Sequence, residues 1–282
     1  MNVFAERQND IEQLKYLYTA RVYYNRAEKE NTLVWVFCIA SAVVGCLGLS
    51  DTLTIISVSL LSLLGTLFGY LFRKHIEMAA RLRRVFDRRV FGMEIELKPR
   101  EWDELKEIVE TTIEKNEDDY KVQVNNTGKD NPPGVRDWYT APTISNSDDS
   151  VVFQCQKENI WFSKKMLYAK IAINLVWLST ILFFAVVFLR GKSLWEIVIL
   201  ILSGAALIGH IAYRVWVLLE YLHASIVINT LVENFENLKP NVANILLQEV
   251  IEKRRKIHLT YSNFIHSKLA NKLHTRFKVI NE

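Results

Sequence analysis

The stretch from residue 136 to residue 168 contains the three kinds of side chain that recognise nucleotides. Aromatic rings stack on bases, side-chain amides read base edges, and cationic groups contact phosphates. The aromatic residues are Trp138, Tyr139, Trp161, Phe162 and Tyr168, the amides are Gln156 and Asn159, and the basic residues are Arg136, Lys157, Lys164 and Lys165. These residue types predict a ligand that carries bases and phosphates. The alternative, which residue types alone favour, is that the rings form a protein core and the lysines a basic belt beside a membrane.

Other reactive residues lack the spacing that catalysis or metal binding needs. His258, His266 and His274 recur every eight residues, which in a helix separates neighbours by about 12 Å, too far to share one metal ion. The acidic run from Glu101 to Glu114 is typical of a solvated helix face. The chain has no phosphate-binding loop, dinucleotide fingerprint, zinc-protease motif or nucleophile elbow. We therefore predict that the protein is not an enzyme and needs no metal or cofactor.

Four long apolar stretches must position these residues. The overall composition is average in polarity, with 50% hydrophobic and 23% charged residues, but the apolar residues are concentrated in these stretches. A helix of about twenty consecutive apolar residues crosses the roughly 30 Å of bilayer hydrocarbon. The stretches are Leu33 to Leu49, Leu53 to Phe72, Ile171 to Leu189 and Leu194 to Tyr213. The sequence therefore predicts a mainly α-helical integral membrane protein with four transmembrane helices in two hairpins and a mostly helical cytoplasmic domain.

Basic residues near the ends of these stretches predict the orientation, because basic loops resist translocation. The link Ser50-Asp51-Thr52 contains no Lys or Arg, whereas seven basic residues lie between Arg73 and Arg89, after the second stretch. Three more lysines precede the third stretch, against two basic residues in the link that follows it. We therefore expect a multi-pass protein whose N- and C-termini both face the cytoplasm.

The same pattern divides the chain into five segments. They are an N-terminal cytoplasmic helix (residues 1–32), a first membrane hairpin (33–72), a cytoplasmic domain (73–170), a second membrane hairpin (171–213) and C-terminal cytoplasmic helices (214–282). Periodicity predicts helices from Asn2 to Glu30, from Arg100 to Asn116, from Val151 into the third span, and from Val242 to Ile280. Turn-rich sequence between Glu117 and Ser150 predicts loops or short strands in the centre of the domain.

Small residues one helical turn apart occur in three of the apolar stretches. The pairs are Ser41 and Gly45, Gly65 and Gly69, and Ala205 and Gly209. Such spacing lets two helix backbones approach closely. It predicts tight helix packing, either within one molecule or between the subunits of a homo-oligomer, and the sequence leaves both possibilities open.

Several short motifs resemble the SMODS-associated four-transmembrane effector family. They are Arg7-Gln8-Asn9, Leu14-Lys15-Tyr16-Leu17, the helix from Arg21 to Ala27, Asp137-Trp138-Tyr139, Cys155-Gln156-Lys157-Glu158-Asn159 and Trp161, arranged around two membrane pairs. The resemblance covers nearly the whole chain. One departure is Lys157, which replaces the family's usual Arg and weakens any claim of bidentate phosphate contact there.

The resemblance implies a bacterial antiphage effector that is functionally linked to a nucleotide cyclase. Such an effector would bind a cyclic di- or oligonucleotide, assemble as a homo-oligomer, and disrupt the inner membrane until growth stops or the cell dies. The ligand would either activate the effector or hold it inactive until depletion, and the sequence leaves the sign open. DNA and RNA are not expected partners.

Two other functions remain open on the sequence. A small channel or transporter would need intramembrane charges or broken helices, which these spans lack apart from Glu196 and His210. A membrane receptor or scaffold would use its cytoplasmic domain to dock a protein partner.

Overall fold

The computed structural model describes residues 3–47, 51–139, 148–194, 197, 201, 204–234 and 239–259. Within these residues the chain forms helices and no strand, so the predicted mainly α-helical fold is confirmed. The helices are α1 (Val3–Asn9), α2 (Ile11–Leu47), α3 (Asp51–Val90), α4 (Pro99–Glu114), α5 (Glu117–Asn125), α6 (Asp148–Leu189), α7 (Ala205–Glu233) and α8 (Pro240–Arg255).

Four of these helices, α2, α3, α6 and α7, are long and apolar enough to cross a bilayer. Large apolar side chains on their outer faces are exposed, such as Leu63 at 65% and Val176 at 67%. Exposed apolar surface on this scale suits contact with lipid, so the predicted four transmembrane helices are confirmed. The predicted fourth stretch lies partly outside the described residues, and its described helix runs from Ala205 to Glu233.

The first hairpin is held together by small residues at the contact between α2 and α3. A side chain at Gly65 would lie 3.7 Å from both the Cys38 sulfur and the Phe37 Cβ, so the backbones are close at this level. The hydroxyls of Ser41 and Ser62 lie 3.3 Å apart across the same contact. Gly65 and Ser41 therefore pack the two helices of one molecule against each other, which is one of the two possibilities that their spacing leaves open.

The second hairpin contacts the first mainly through α7, which packs on α2. The rings of Trp35 and His210 meet edge to face with centroids 4.6 Å apart. Ala205 and Gly209 lie on an exposed face of α7, and a side chain at Gly209 would meet no heavy atom within 4 Å. Unlike Gly65, Gly209 therefore has open space beside it.

The extramembrane domain comprises the described residues outside the four spans: α1, residues 11–30, 73–139, 148–170, 214–234 and 239–259. Its main core buries Tyr18, Phe86, Leu105 and Tyr139 among neighbouring apolar side chains. Full burial of such a side chain stabilises a fold by about 1.5 to 3 kcal/mol. Residues 73–90 belong to the same helix as the second span, so the core packs around a helix that continues into the membrane.

Three predicted boundaries differ from the structure. Asp10 ends α1, because its carboxylate accepts the backbone N–H of Glu12 at 2.8 Å and thereby caps a new helix. Residues 117–125 form α5 rather than a loop, and acidic residues in its first turn suit a helix N-terminus. The last helix ends at Arg255 rather than continuing to Ile280, and residues 260–282 lie outside the described residues.

Candidate functional site

A buried carboxylate, Asp87, lies at the centre of the extramembrane domain. It occupies the same face of α3 as Arg83, one turn earlier, and the two form an ion pair with Nε and Oδ1 3.1 Å apart. Arg255, at the end of α8, pairs with its other oxygen. Burial alone would raise the pKa of Asp87, but attraction to Arg255 and Arg83 outweighs it, so the pKa lies below its usual 3.8. Asp87 is therefore a charged anchor within the protein interior.

Tyr139 completes the environment of Asp87. Its hydroxyl donates to Oδ1 of Asp87 at 2.9 Å and accepts a hydrogen bond from Nη2 of Arg83 at 3.3 Å. The Tyr139 backbone N–H donates to Oε1 of Gln8 at 3.0 Å, and Nε2 of Gln8 donates back to the Tyr139 carbonyl at 3.3 Å. Tyr139 is therefore fixed at both its ring and its backbone.

Two of the sequence motifs contact each other at this point. Asn9 and Asp137 exchange hydrogen bonds, from Nδ2 of Asn9 to Oδ1 of Asp137 at 2.7 Å and from the Asp137 N–H to Oδ1 of Asn9 at 3.0 Å. Together with the Gln8 contacts, they clamp residues 137–139 onto the end of α1. The Arg7-Gln8-Asn9 motif thus positions the Asp137-Trp138-Tyr139 motif, and through it the Tyr139 hydroxyl.

A second buried carboxylate, Glu252, ties α8 to α3. Arg88 binds it with both arms of its guanidinium, Nε to Oε1 at 2.7 Å and Nη2 to Oε2 at 3.2 Å. Arg84 lies 3.1 Å from Oε2, and Nε2 of Gln248 donates to Oε1 at 3.2 Å. Bidentate pairs of this kind fix orientation as well as distance. These contacts therefore fix the position of α8 relative to the end of α3.

The same face of α8 also binds α6. Nε2 of Gln156, which is 1% exposed, donates to the Asn244 carbonyl at 2.9 Å. Nη2 of Arg254 donates to Oδ1 of Asn159 at 3.4 Å, and its guanidinium lies 5.4 Å from the centre of the Tyr221 ring on α7. One face of α8 therefore contacts three helices that each continue into the membrane.

We call this set of side chains the buried junction. Its members are Arg83, Arg84, Asp87, Arg88, Tyr139, Gln156, Asn159, Gln248, Glu252, Arg254 and Arg255. Arginines outnumber carboxylates in it, and no described carboxylate pairs with Arg254, which is 2% exposed. Nε of Arg254 and Oε1 of Gln156 are buried and have no hydrogen-bond partner among the described residues. Cationic surplus and unused hydrogen-bonding capacity suit an anionic, polar ligand.

The predicted ligand-binding residues do not form one cluster. Trp138 and Tyr139 lie against Arg83, whose guanidinium is 4.3 Å from the centre of the Trp138 ring, while Arg136 is exposed. Gln156 and Asn159 face α8 within the buried junction. Farther along α6, Trp161 is half-buried and Lys164 and Lys165 are exposed, with Lys165 5.8 Å from the centre of the Trp161 ring. The structure thus brings Tyr139, Gln156 and Asn159 to one junction and leaves the other residues around it.

Sequence reasoning missed the arginines and carboxylates of the buried junction. Arg83 and Arg88 lie in the basic run from Arg73 to Arg89, which we used only to predict the orientation, and Arg254 lies in a second basic run near the end of α8. The signal that could have separated them is Asp87, a single acidic residue within the run from Arg81 to Arg89. A lone carboxylate among arginines at helical spacing indicates an internal ion pair.

A cleft lies between α1, the start of α2 and the end of α3. It has a volume of about 230 Å³ and is lined by Glu6, Arg7, Asp10, Gln13 and Arg89. Ligand pockets for small organic molecules usually measure about 300 to 1,000 Å³. The cleft is therefore small for a dinucleotide.

A short segment after α8 links the buried junction to the ends of the spans. His258 lies 3.0 Å from the Tyr213 hydroxyl through Nδ1 and 3.4 Å from Oε1 of Glu77 through Nε2. Its carbonyl accepts a hydrogen bond from Nη1 of Arg214 at 3.2 Å. His258 thus joins α3 to α7 at the membrane boundary, while His266 and His274 lie outside the described residues.

Comparison with known proteins identifies the family of the chain. Residues 2–240 match the family described as the SMODS-associating 4TM effector domain. No curated protein and no solved structure matches the chain. The matched residues include the four membrane helices and both motifs that clamp Tyr139, and SMODS association links the family to enzymes that produce cyclic oligonucleotides. The chain therefore belongs to the family of SMODS-associating four-transmembrane effectors.

Proposed function

We propose that this protein is a bacterial antiphage effector of the inner membrane, controlled by a cyclic di- or oligonucleotide. The ligand binds the extramembrane domain, which faces the cytoplasm together with both termini. Ligand binding controls membrane disruption by a homo-oligomer, and disruption leads to growth arrest or death. The protein does no chemistry on its ligand, which a linked nucleotide cyclase supplies.

The observation that carries the proposal is the continuity of helices between the buried junction and the membrane. Asp87 and Arg88 lie on the same helix as the second span, and Gln156 and Asn159 on the same helix as the third. A helix transmits tilt or rotation along its length because its backbone hydrogen bonds are internal. A ligand that repacks α8 against α3 and α6 would therefore move both hairpins.

The chemistry of the junction suits a nucleotide. Among the described residues Arg254 has no carboxylate partner, so its guanidinium could bind a phosphate. The Tyr221 ring lies beside it, and Asn159 supplies an amide for a base edge. Binding requires α8 to shift, because these groups are already buried. That requirement is what couples the ligand to a conformational change: a ligand biases two states only through its different affinity for each.

Calorimetric binding of a panel of cyclic di- and trinucleotides to the full chain in detergent tests the ligand. We expect one nucleotide to saturate wild-type protein, and Arg254→Gln to weaken binding by about ten- to hundredfold, the usual loss for a charged hydrogen bond. Lys253→Gln is the matched control, because Lys253 is the exposed neighbour of Arg254. If no nucleotide binds, or if both variants weaken binding equally, the junction is not the ligand site.

Dye release from liposomes tests whether the protein disrupts a membrane and whether the ligand activates or inhibits it. Release on nucleotide addition identifies an activating ligand, whereas release on nucleotide removal identifies one that holds the effector inactive. Chromatography of the recovered nucleotide tests the absence of catalysis, for which the nucleotide must return unchanged. Liposomes that stay intact in every ligand state contradict membrane disruption.

A receptor or scaffold controlled by a protein partner is the second candidate. The observation that favours it is a row of exposed apolar side chains on α8, Val242, Ile245 and Leu246, each between 40% and 44% exposed. Apolar side chains grouped on one helix face suit a protein contact. A stoichiometric partner that co-purifies with the chain, without dye release in any state, would favour this function.

A further inference from the structure

Polar side chains of three membrane helices converge where the spans meet the extramembrane domain. Trp35 on α2 contacts His210 on α7, and the two helices run in opposite directions. One turn toward the domain, Asn31 on α2 therefore lies level with Arg214 on α7. These positions flank the predicted start of the first span and the predicted end of the fourth.

Helix α6 adds polar residues at the same two levels. Leu167 on α6 and Val217 on α7 share one hydrophobic cluster, and these helices also run in opposite directions. One turn farther into the membrane, Lys170 on α6 therefore lies level with Arg214 on α7, and two turns farther Asn174 lies level with His210. Lys170 interacts electrostatically with both Arg214 and Glu28, in agreement with this level.

The converging groups have unused hydrogen-bonding capacity. Arg214 is 4% exposed, forms no ion pair with a described carboxylate, and leaves Nε buried without a partner. Nδ2 of Asn174 and Nε2 of His210 are likewise buried and have no hydrogen-bond partner among the described residues. Unsatisfied buried donors beside two cations are costly unless an acceptor with negative charge reaches them. Glu28 offsets part of this charge on the Lys170 side only.

We propose that Arg214, Lys170 and Asn174 bind the phosphate of an anionic phospholipid headgroup. A phosphodiester carries one negative charge and only accepts hydrogen bonds, which matches these donors. The site lies between spans at the membrane end that carries most basic residues, where headgroups are the abundant source of phosphate. The bound headgroup would brace α6 against α7, whose described residues make few other contacts with each other.

Native mass spectrometry of the full chain, purified from nanodiscs containing phosphatidylglycerol and phosphatidylcholine, tests this site. We expect wild-type protein to retain phosphatidylglycerol, and Arg214→Gln to lose it by about ten- to hundredfold, as for other charged hydrogen bonds. Lys74→Gln, an exposed basic residue at the same membrane end, should retain it. Arg214→Lys should retain an intermediate amount, because it keeps the charge without the guanidinium geometry.

Two results would overturn the proposal. The first is equal retention of phosphatidylglycerol by wild type, Arg214→Gln and Asn174→Ala. The second is that Arg214→Gln keeps the lipid but loses binding of the cyclic nucleotide, which would assign the phosphate to that ligand. Should Arg214→Gln fail to fold, Lys170→Gln and Asn174→Ala still report on the lipid. The measurement of lipid retention itself uses neither nucleotide nor leakage, so its failure is separate from that of the proposed function.

Discussion

At the scale of single residues, Asp87 has the largest predicted effect, because it is a buried charge that Arg83 on α3, Arg255 on α8 and the Tyr139 hydroxyl all contact. Removing one partner of a buried ion pair leaves the other charge unpaired and typically costs about 3 to 5 kcal/mol. We predict that Asp87→Asn lowers the free energy of unfolding by that amount, because it leaves the charges of Arg83 and Arg255 without their carboxylate partner. Thermal unfolding in detergent measures the change. Asp103→Asn, an exposed carboxylate on α4, should change it by less than about 0.5 kcal/mol.

The titration of Asp87 gives a second prediction at this scale. Its pKa in the folded state lies below 3.8, so the folded protein binds this proton less readily than the unfolded chain. The stability that charged Asp87 contributes is therefore present above about pH 4 and lost as the pH falls through the folded-state pKa. The melting temperature of wild-type protein should therefore fall as the pH drops below about 4. A slope that is the same in Asp87→Asn would show that other carboxylates cause it.

At the scale of helices, Gly65 and Gly209 make opposite predictions although both belong to small-residue pairs. Gly65→Ile should destabilise the first hairpin by about 1 to 3 kcal/mol, because the added side chain meets Phe37 and Cys38 at close range. Gly209→Ile has open space and should leave the melting temperature unchanged. Thermal unfolding in detergent compares the two. The opposite ranking would mean that Gly209, and not Gly65, makes the tight contact.

The helices also show what the sequence could and could not predict. The spans were predictable because membrane crossing depends on the length and polarity of one continuous segment. The ligand-binding residues were predicted from their side-chain types within a stretch of 33 residues. By contrast, the paired Asp87 and Arg255 are 168 residues apart in the sequence. Only the packing of α8 on α3 and α6 brings such residues together. Tyr139 has the expected aromatic ring, but its partners make it part of a buried hydrogen-bond network.

At the scale of the whole molecule, Glu252 tests whether the buried junction couples the extramembrane domain to the membrane. Glu252→Gln removes the charge that Arg88 and Arg84 share, and so loosens α8 from α3 without touching Arg254. We predict that this variant still binds the nucleotide. Its dye release should depend at least about tenfold less on the ligand, because one of the two states loses the ion pairs that hold α8 against α3. The matched control is Glu249→Gln, an exposed carboxylate on the same helix, which should behave as wild type. Ligand-dependent release that survives unchanged in Glu252→Gln would mean that the signal reaches the spans by a route other than the contact of α8 with α3.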